Sequence, residues 1–326
     1  RADEYTRIDG QERTFYPSGM ARVKYDEIEC KSALNRVSGM PFRWSLNPYR
    51  GSVHGCQYCY ARATHPYLGY NSGEEFSPRI IVKRNMADVL RRELARPSWA
   101  RELVALGTAT DAYQPCEGRY GVTRALLQVL AEFGTPVSVV TKLTLVWRDR
   151  ELLAELAELR GTRVQFTITT LDNDLWRKLE PGTPAPAKRL EIMRRLVQDG
   201  VPCAVFIAPV IPKLTDSEAS IAAIAAAAQS HGATAVWAGP LRLAPLVKEH
   251  YLEFLGEAFG TLVPRYERAY IGADAPKAYR TALEARIQRI LGEFGFGSRN
   301  DDAESACKSA AATAGDVDVG QMPLPW

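Results

Sequence analysis

Two cysteines dominate the chemistry this sequence can do. Cys56 and Cys59 stand two residues apart in Asn47-Pro-Tyr-Arg-Gly-Ser-Val-His-Gly-Cys-Gln-Tyr-Cys-Tyr-Ala-Arg62, a stretch punctuated by Gly51 and Gly55. Thiolates at that spacing can grip one face of a metal ion or an iron–sulfur cluster, but two of them do not close a four-ligand site. No second cysteine pair lies nearby. A cluster also needs backbone N–H groups turned toward its sulfurs with little bulk in the way, which Gly51 and Gly55 allow. Taken alone, one Cys-x-x-Cys is as readily a pair of half-buried thiols.

Further candidates sit in polar loops. Cys116 belongs to Gly107-Thr-Ala-Thr-Asp-Ala-Tyr-Gln-Pro-Cys-Glu117, with Thr110 and Asp111 ahead of it. Lys142 directly follows the apolar run Val137–Thr141. A lysine just past a buried strand suits a carboxylate partner, and it is also an ordinary solvated loop residue. His54 and His65 flank the cysteines as ligands, acid–base groups or hydrogen-bonded structural histidines. Leu179–Pro186 and Ala208–Asp216 are stiffened by proline, which suits holding a site in shape and is also common turn chemistry. No Ser-His-Asp order, phosphate-cradling glycine loop or paired-carboxylate pattern stands out.

The elements that position these residues follow a rhythm. Phe42–Leu46 alternates as a short strand and runs into the cysteine loop. Arg79–Lys83 reads as an extra small strand, and Asn85 caps a helix bearing Met86, Val89, Leu90 and Leu94, which Pro97 stops. Leu103–Gly107, Val137–Thr141, Arg163–Thr169, Ala204–Ala208 and Thr234–Ala238 then read as strands. Between them lie helical patterns ended by Gly134, Gly161, Gly200 and Gly232. The helix before Gly232 opens on Thr215-Asp-Ser-Glu218, which fits a capping box. Strands and amphipathic helices repeating at about thirty residues are the pattern of parallel βαβ units. Six strands make either a doubly wound sheet or a partial barrel, and periodicity alone leaves both open. In either, ligands gather where strands end, at their C-terminal side.

Composition narrows the class. The chain has 326 residues, 46% hydrophobic and 24% charged, with a formal charge of +3. That is ordinary for a globular protein, and no basic stripe calls for a nucleic acid. Six scattered cysteines do not form a secreted disulfide framework, so a reducing cytoplasm is expected. No apolar run reaches membrane-spanning length and no signal peptide is recognisable. Since the chain starts on Arg1, a few residues trimmed from its start are expected.

The wording around the cysteines and in the Thr-Asp-x-Tyr-Gln-Pro-x-Glu stretch resembles the radical S-adenosylmethionine (SAM) superfamily, specifically its spore photoproduct lyase-like branch, from about Phe42 to Leu243. The resemblance implies a partial (β/α)6 TIM-type barrel with C-terminal helices. It implies a Cys-x-x-x-Cys-x-x-Cys loop whose three thiolates hold a 4Fe–4S cluster, with SAM on the fourth iron. Here Ser52 stands at the first cysteine position, Cys56 and Cys59 at the others. Ser52 is then a lost ligand, a hard-oxygen ligand poorly suited to a soft site, or a position another thiol has taken over. Cys116 is the candidate replacement or radical-relay residue. By the same resemblance Tyr58, Thr110, Asp111, Lys142, Thr169 and Ala208 fall where related enzymes contact SAM.

The expected partner is a ferredoxin- or flavodoxin-like electron donor. Nucleic-acid repair is the substrate class suggested by the lyase, without support from charge. The competing expectation is a SAM- or DNA-binding scaffold without cluster chemistry. The expected organisation is an N-terminal wrap (1–41) containing a short strand near Lys24–Lys31, a core (42–243) and a helical extension (244–297). That extension holds helices at about Leu246–Leu262 and Ala275–Phe294, and a disordered tail (298–326) follows.

Overall fold

The computed structural model describes residues 7–8, 11–12, 23–64 and 79–297. The expected turn at His65–Gly69, Cys307 and the tail at 298–326 lie outside the described residues.

Six parallel strands carry the fold: β5 (Trp44–Leu46), β8 (Val104–Leu106), β9 (Val137–Thr141), β10 (Arg163–Thr167), β11 (Cys203–Val210) and β12 (Ala235–Pro240). They pair in that order, and β4 (Asn35–Arg36) adds an antiparallel edge to β5. All six correspond to strands expected from the periodicity. The crossovers carry α1 (Met86–Leu94), α2 (Glu117–Tyr120), α3 (Val122–Glu132), α4 (Arg150–Ala157), α5 (Asn173–Leu179), α6 (Pro186–Gln198) and α7 (Glu218–Ser230). This is a partial (β/α)6 barrel, with β12 and β4 as its two unjoined edges.

Alternation along the strands separates two faces. Val104, Leu106, Val139, Val164, Phe166, Val205, Ile207 and Val236 are buried in one core with Leu126, Leu130, Leu153, Leu156, Met193, Leu196 and Ile224 of the helices. Each such side chain contributes about 1.5–3 kcal/mol by leaving water. The residues between them face the concave side.

Smaller pieces brace this arc. β3 (Lys24–Ile28) runs parallel to β7 (Arg79–Lys83), which pairs on its other side with β6 (Tyr49–Arg50). β1 (Arg7–Ile8) and β2 (Gln11–Glu12) form a separate antiparallel pair. After β12 come α8 (Pro245–Phe259), α9 (Val263–Ala269) and α10 (Lys277–Glu293), the last packing on α7 and β12.

Local chemistry departs from expectation in three places. Asn85 makes no side-chain cap; its amide instead bonds both ways with the backbone of Cys30, at 2.8 and 3.1 Å, pinning the N-terminal segment. The α7 cap is Ser217, which accepts from Ser220 N, whereas Thr215 turns inward and accepts from Ile211 N at 2.7 Å. Three short helices, α2, α5 and α9, were not anticipated. Each buries a single residue, Glu117, Leu179 and Tyr266, so none has an apolar period to read.

Candidate functional site

A cavity of about 720 Å³ opens on the concave side. Its wall at the C-terminal strand ends is made by Ser52, His54, Cys56, Tyr58 and Cys59 of the cysteine loop, Thr108–Asp111 after β8, Lys142 after β9, and Ala208 of β11. Ser52 and Cys56 are buried, Cys59 half-buried, and both thiols are free. Burial pushes the Cys56 thiol up to about 12, against the opposing pull of the Lys142 ammonium, and burial raises Cys59 as well. Thiolates form readily at such a place only when a cation, such as a bound metal, supplies compensating charge.

The loop is held from two sides. Gly51 and Gly55 take left-handed φ of 78° and 60°, which spares a side-chain clash and bends the chain around the cavity. The Thr110 hydroxyl and the Gln114 amide donate to Gly51 O at 2.7 and 3.2 Å. From the far side the turn at 179–183 clasps the loop: Gln57 N donates to Leu179 O at 3.0 Å and Gly182 N to His54 O at 2.9 Å. Only glycine fits at 182, because a Cβ there would lie 2.5 Å from Val53 O.

Beneath that clasp Glu180 and Arg189 form a fully buried ion pair. Tyr58 OH and the Thr169 hydroxyl donate to Glu180, and Arg189 also donates to Pro184 O and Thr167 O at 2.8 and 2.9 Å. Burial alone would raise the Glu180 carboxyl, but Arg189 and Lys142 outweigh it and hold the group down at about 2.

Across the cavity Asp111 accepts from Tyr113 N, Thr141 Oγ1 and Lys142 N at 2.9, 2.8 and 2.7 Å. The Lys142 ammonium lies 5.8 Å from the centre of the Tyr58 ring. His54 Nε2 is buried without a hydrogen bond, 3.9 Å from Asp111. Burial takes its pKa down to about 4, so the ring is neutral at pH 7. An orphaned nitrogen on a cavity wall is a ready partner for a bound molecule.

The radical SAM superfamily model matches residues 46–223, more than half of the chain. This chain belongs to the radical SAM superfamily. An uncharacterized protein of Mycobacterium tuberculosis is 41% identical over 276 residues, covering 83% of this chain and 81% of that protein. One of Methanocaldococcus jannaschii is 27% identical over 276 residues, covering 83% and 93%. Among solved structures, spore photoproduct lyase complexed with dinucleoside spore photoproduct gives a TM-score of 0.61 at 17% identity, covering 83% of this chain and 79% of that one. Streptococcus suis SuiB bound to precursor peptide SuiA gives 0.51 at 14%, covering 82% and 50%. At these identities the two structures share the radical SAM fold with this chain.

Within this radical SAM core, Ser52, Cys56, Cys59, Tyr58, Thr110, Asp111, Lys142 and Ala208 meet at one cavity. Two anticipated residues do not join them. Thr169 is buried behind the wall, its hydroxyl engaged by Tyr58 and Glu180, both at 2.9 Å. Cys116 is buried in the core at the start of α2, beside the hydrogen bond from Tyr49 to Glu117. Burial and the Glu117 charge raise its thiol, and it does not line the cavity, so a relay or replacement-ligand role lacks the geometry it needs. The Glu180–Arg189 pair was missed. Its nearest signal was an acidic residue inside the proline-stiffened Leu-Glu-Pro-Gly-Thr-Pro stretch, a poor place for a merely solvated carboxylate.

Proposed function

We propose that this chain is a radical SAM enzyme in which Cys56 and Cys59 hold a 4Fe–4S cluster, with Ser52 in the third ligand position and SAM beside it. The observation that carries the reading is that these three side chains, at the family's spacing, face one cavity at the end of β5. The donor set fits a cluster in position and in two of its three ligands. The serine oxygen is a harder donor than thiolate, so the fit is a weaker hold and not an exclusion. When bound, such a cluster supplies one electron, from a ferredoxin- or flavodoxin-like donor, for reductive cleavage of SAM to methionine and a 5′-deoxyadenosyl radical that abstracts hydrogen from a substrate.

The chain's own residues do the positioning. Tyr58 offers a ring face beside the cluster loop, with its hydroxyl tied to Glu180. Lys142 offers an ammonium suited to the carboxylate of SAM, and its own N–H is fixed by Asp111. His54 Nε2 and Ala208 complete the wall. The clasp at 179–183 keeps the loop from collapsing into the space it borders.

The test is iron and sulfide content after anaerobic reconstitution, the electron paramagnetic resonance spectrum after reduction, and formation of 5′-deoxyadenosine. Ser52→Cys is expected to raise cluster occupancy and SAM cleavage together; unchanged values for both would refute this account of the loop. Ser52 itself favours a second reading, a SAM- or DNA-binding scaffold without cluster chemistry. That reading is supported if SAM still binds and no cluster forms in either protein. A salt-dependent gel shift with duplex or single-stranded DNA would bring nucleic acid in as the substrate.

A further inference from the structure

The barrel core takes Val53 of the cysteine loop, while Cys56 and Tyr58 lie in a second buried cluster made with α8. Val247, Tyr251, Phe254 and Leu255 of α8 form that cluster together with Leu179 of the clasp. The helix therefore packs behind a turn whose front lines the cavity, and the 3-10 turn Tyr60–Thr64 packs on it as well. Val247, His250, Tyr251 and Phe254 recur at the three- and four-residue spacing of one helix face, and His250 is its polar member.

His250 meets a residue that stands between the two thiols. Its Nε2 lies 2.9 Å from Gln57 Oε1, and both side chains are half-buried. A carbonyl oxygen only accepts, so the ring donates from Nε2. Burial, with the Arg62 charge added, takes the His250 pKa down to about 4, so at pH 7 the ring is neutral and its single N–H is the one given to Gln57. Gln57 is thus gripped at both ends: its backbone N–H donates to Leu179 O at 3.0 Å, and its side chain accepts from His250. The turn gains from that help, because its own closing bond, from Cys59 N to Cys56 O, is 3.3 Å and longer than the usual N–H···O bond. A histidine on a helix face is commonly a packing residue. What sets His250 apart is that its partner is flanked by Cys56 and, beyond Tyr58, by Cys59.

We infer that His250 is a positioning residue for the metal site: through Gln57 it fixes the spacing of the Cys56 and Cys59 thiols, which makes the C-terminal helix α8 part of the site's scaffold. Groups one step behind metal ligands orient them, and losing one typically costs about 10–100-fold in metal affinity. The two thiols carry most of the hold, because Ser52 stands at the third position. The inference rests on the proposed radical SAM reading only for which metal group the thiols hold.

The test is a Cd2+ titration of the full-length, cluster-free protein without oxygen, read as the part of the thiolate-to-metal absorption that Cys56→Ser removes. Iron retained through gel filtration after anaerobic reconstitution is measured alongside. His250→Phe, which keeps a ring and removes the donor, is expected to weaken Cd2+ binding about tenfold or more and to lower retained iron. His250→Gln, which restores an N–H donor, should recover part of the loss. In a Gln57→Leu background His250→Phe should cost little more, whereas a packing role would cost the same in both. No recovery with Gln, equal weakening in the two backgrounds, or wild-type Cd2+ affinity in His250→Phe overturns the inference. So does the absence of any Cd2+ signal that depends on Cys56. If His250→Phe fails to fold by circular dichroism, Gln57→Leu decides: unchanged Cd2+ affinity overturns the inference. If the Cd2+ effects appear but neither the wild type nor Ser52→Cys takes up a 4Fe–4S cluster, the cluster reading falls and the positioning role stands.

Discussion

The two walls of the cavity are held to different degrees. On the cysteine-loop side a buried ion pair, a backbone clasp at 2.9 and 3.0 Å and the Thr110 and Gln114 donors on Gly51 O leave the loop little freedom. On the β12 side the wall is less regular: the pairing of β11 with β12 shifts register between Ile207 and Val210, and beyond it only an isolated antiparallel bridge joins Arg242 to Asp274. A wall that must present thiols and a ring face at fixed positions gains from rigidity. A wall that greets a variable molecule gains from slack.

That contrast can be broken most forcefully at Glu180. Glu180→Ala leaves Arg189 charged and fully buried, and should cost about 3–5 kcal/mol in urea unfolding. A loss under about 1 kcal/mol would mean that the clasp is not held by this pair.

Acid is the next strongest lever. The His54 pKa is lowered in the folded protein from 6.5 to about 4, so between those values the unfolded chain binds the extra proton. Stability should therefore fall as pH drops through 6.5 and reach its full loss below about 4, by roughly 3 kcal/mol from this residue. His54→Gln should flatten that part of the stability–pH curve; an unaltered slope would place the titration elsewhere.

Gly182→Ala sharpens the comparison in geometry. With 2.5 Å between the new Cβ and Val53 O, the clasp must open, costing about 1–3 kcal/mol and lowering iron retained after gel filtration. On the β12 side, Asp274→Asn, at an exposed position, should change the unfolding free energy by no more than about 0.5 kcal/mol. A larger loss there would erase the distinction between the walls.

The strands were legible because each is a short apolar run flanked by helical periods, as Val137–Thr141 shows. Most of the cavity's upper wall was legible too, since residues just past strand ends must face the concave side. Burial reversed two readings. Thr169 looked like a strand-end contact but is turned behind the wall by Glu180, and Cys116 looked like a loop thiol but packs against Tyr49 and Glu117. Tyr58, which also engages Thr169, and Tyr49, beside Cys116, are both distant in sequence, and long-range pairing of this kind leaves no local period. Glu180 and Arg189 were hidden because they meet across a turn, where no repeating period marks a buried charge.

An arc of six strands differs from a ring in what a change to it disturbs. Strands in a ring are tied to neighbours on both sides, so widening the interior strains the whole circuit. Here β12 has strand pairing on one side and α10 on the other, and the opposite margin is the two-residue β4. Descendants of this sequence can exchange the 37–42 segment, which borders the cavity, and with it the shape of that space, without breaking a rung of the sheet that holds the cysteine loop.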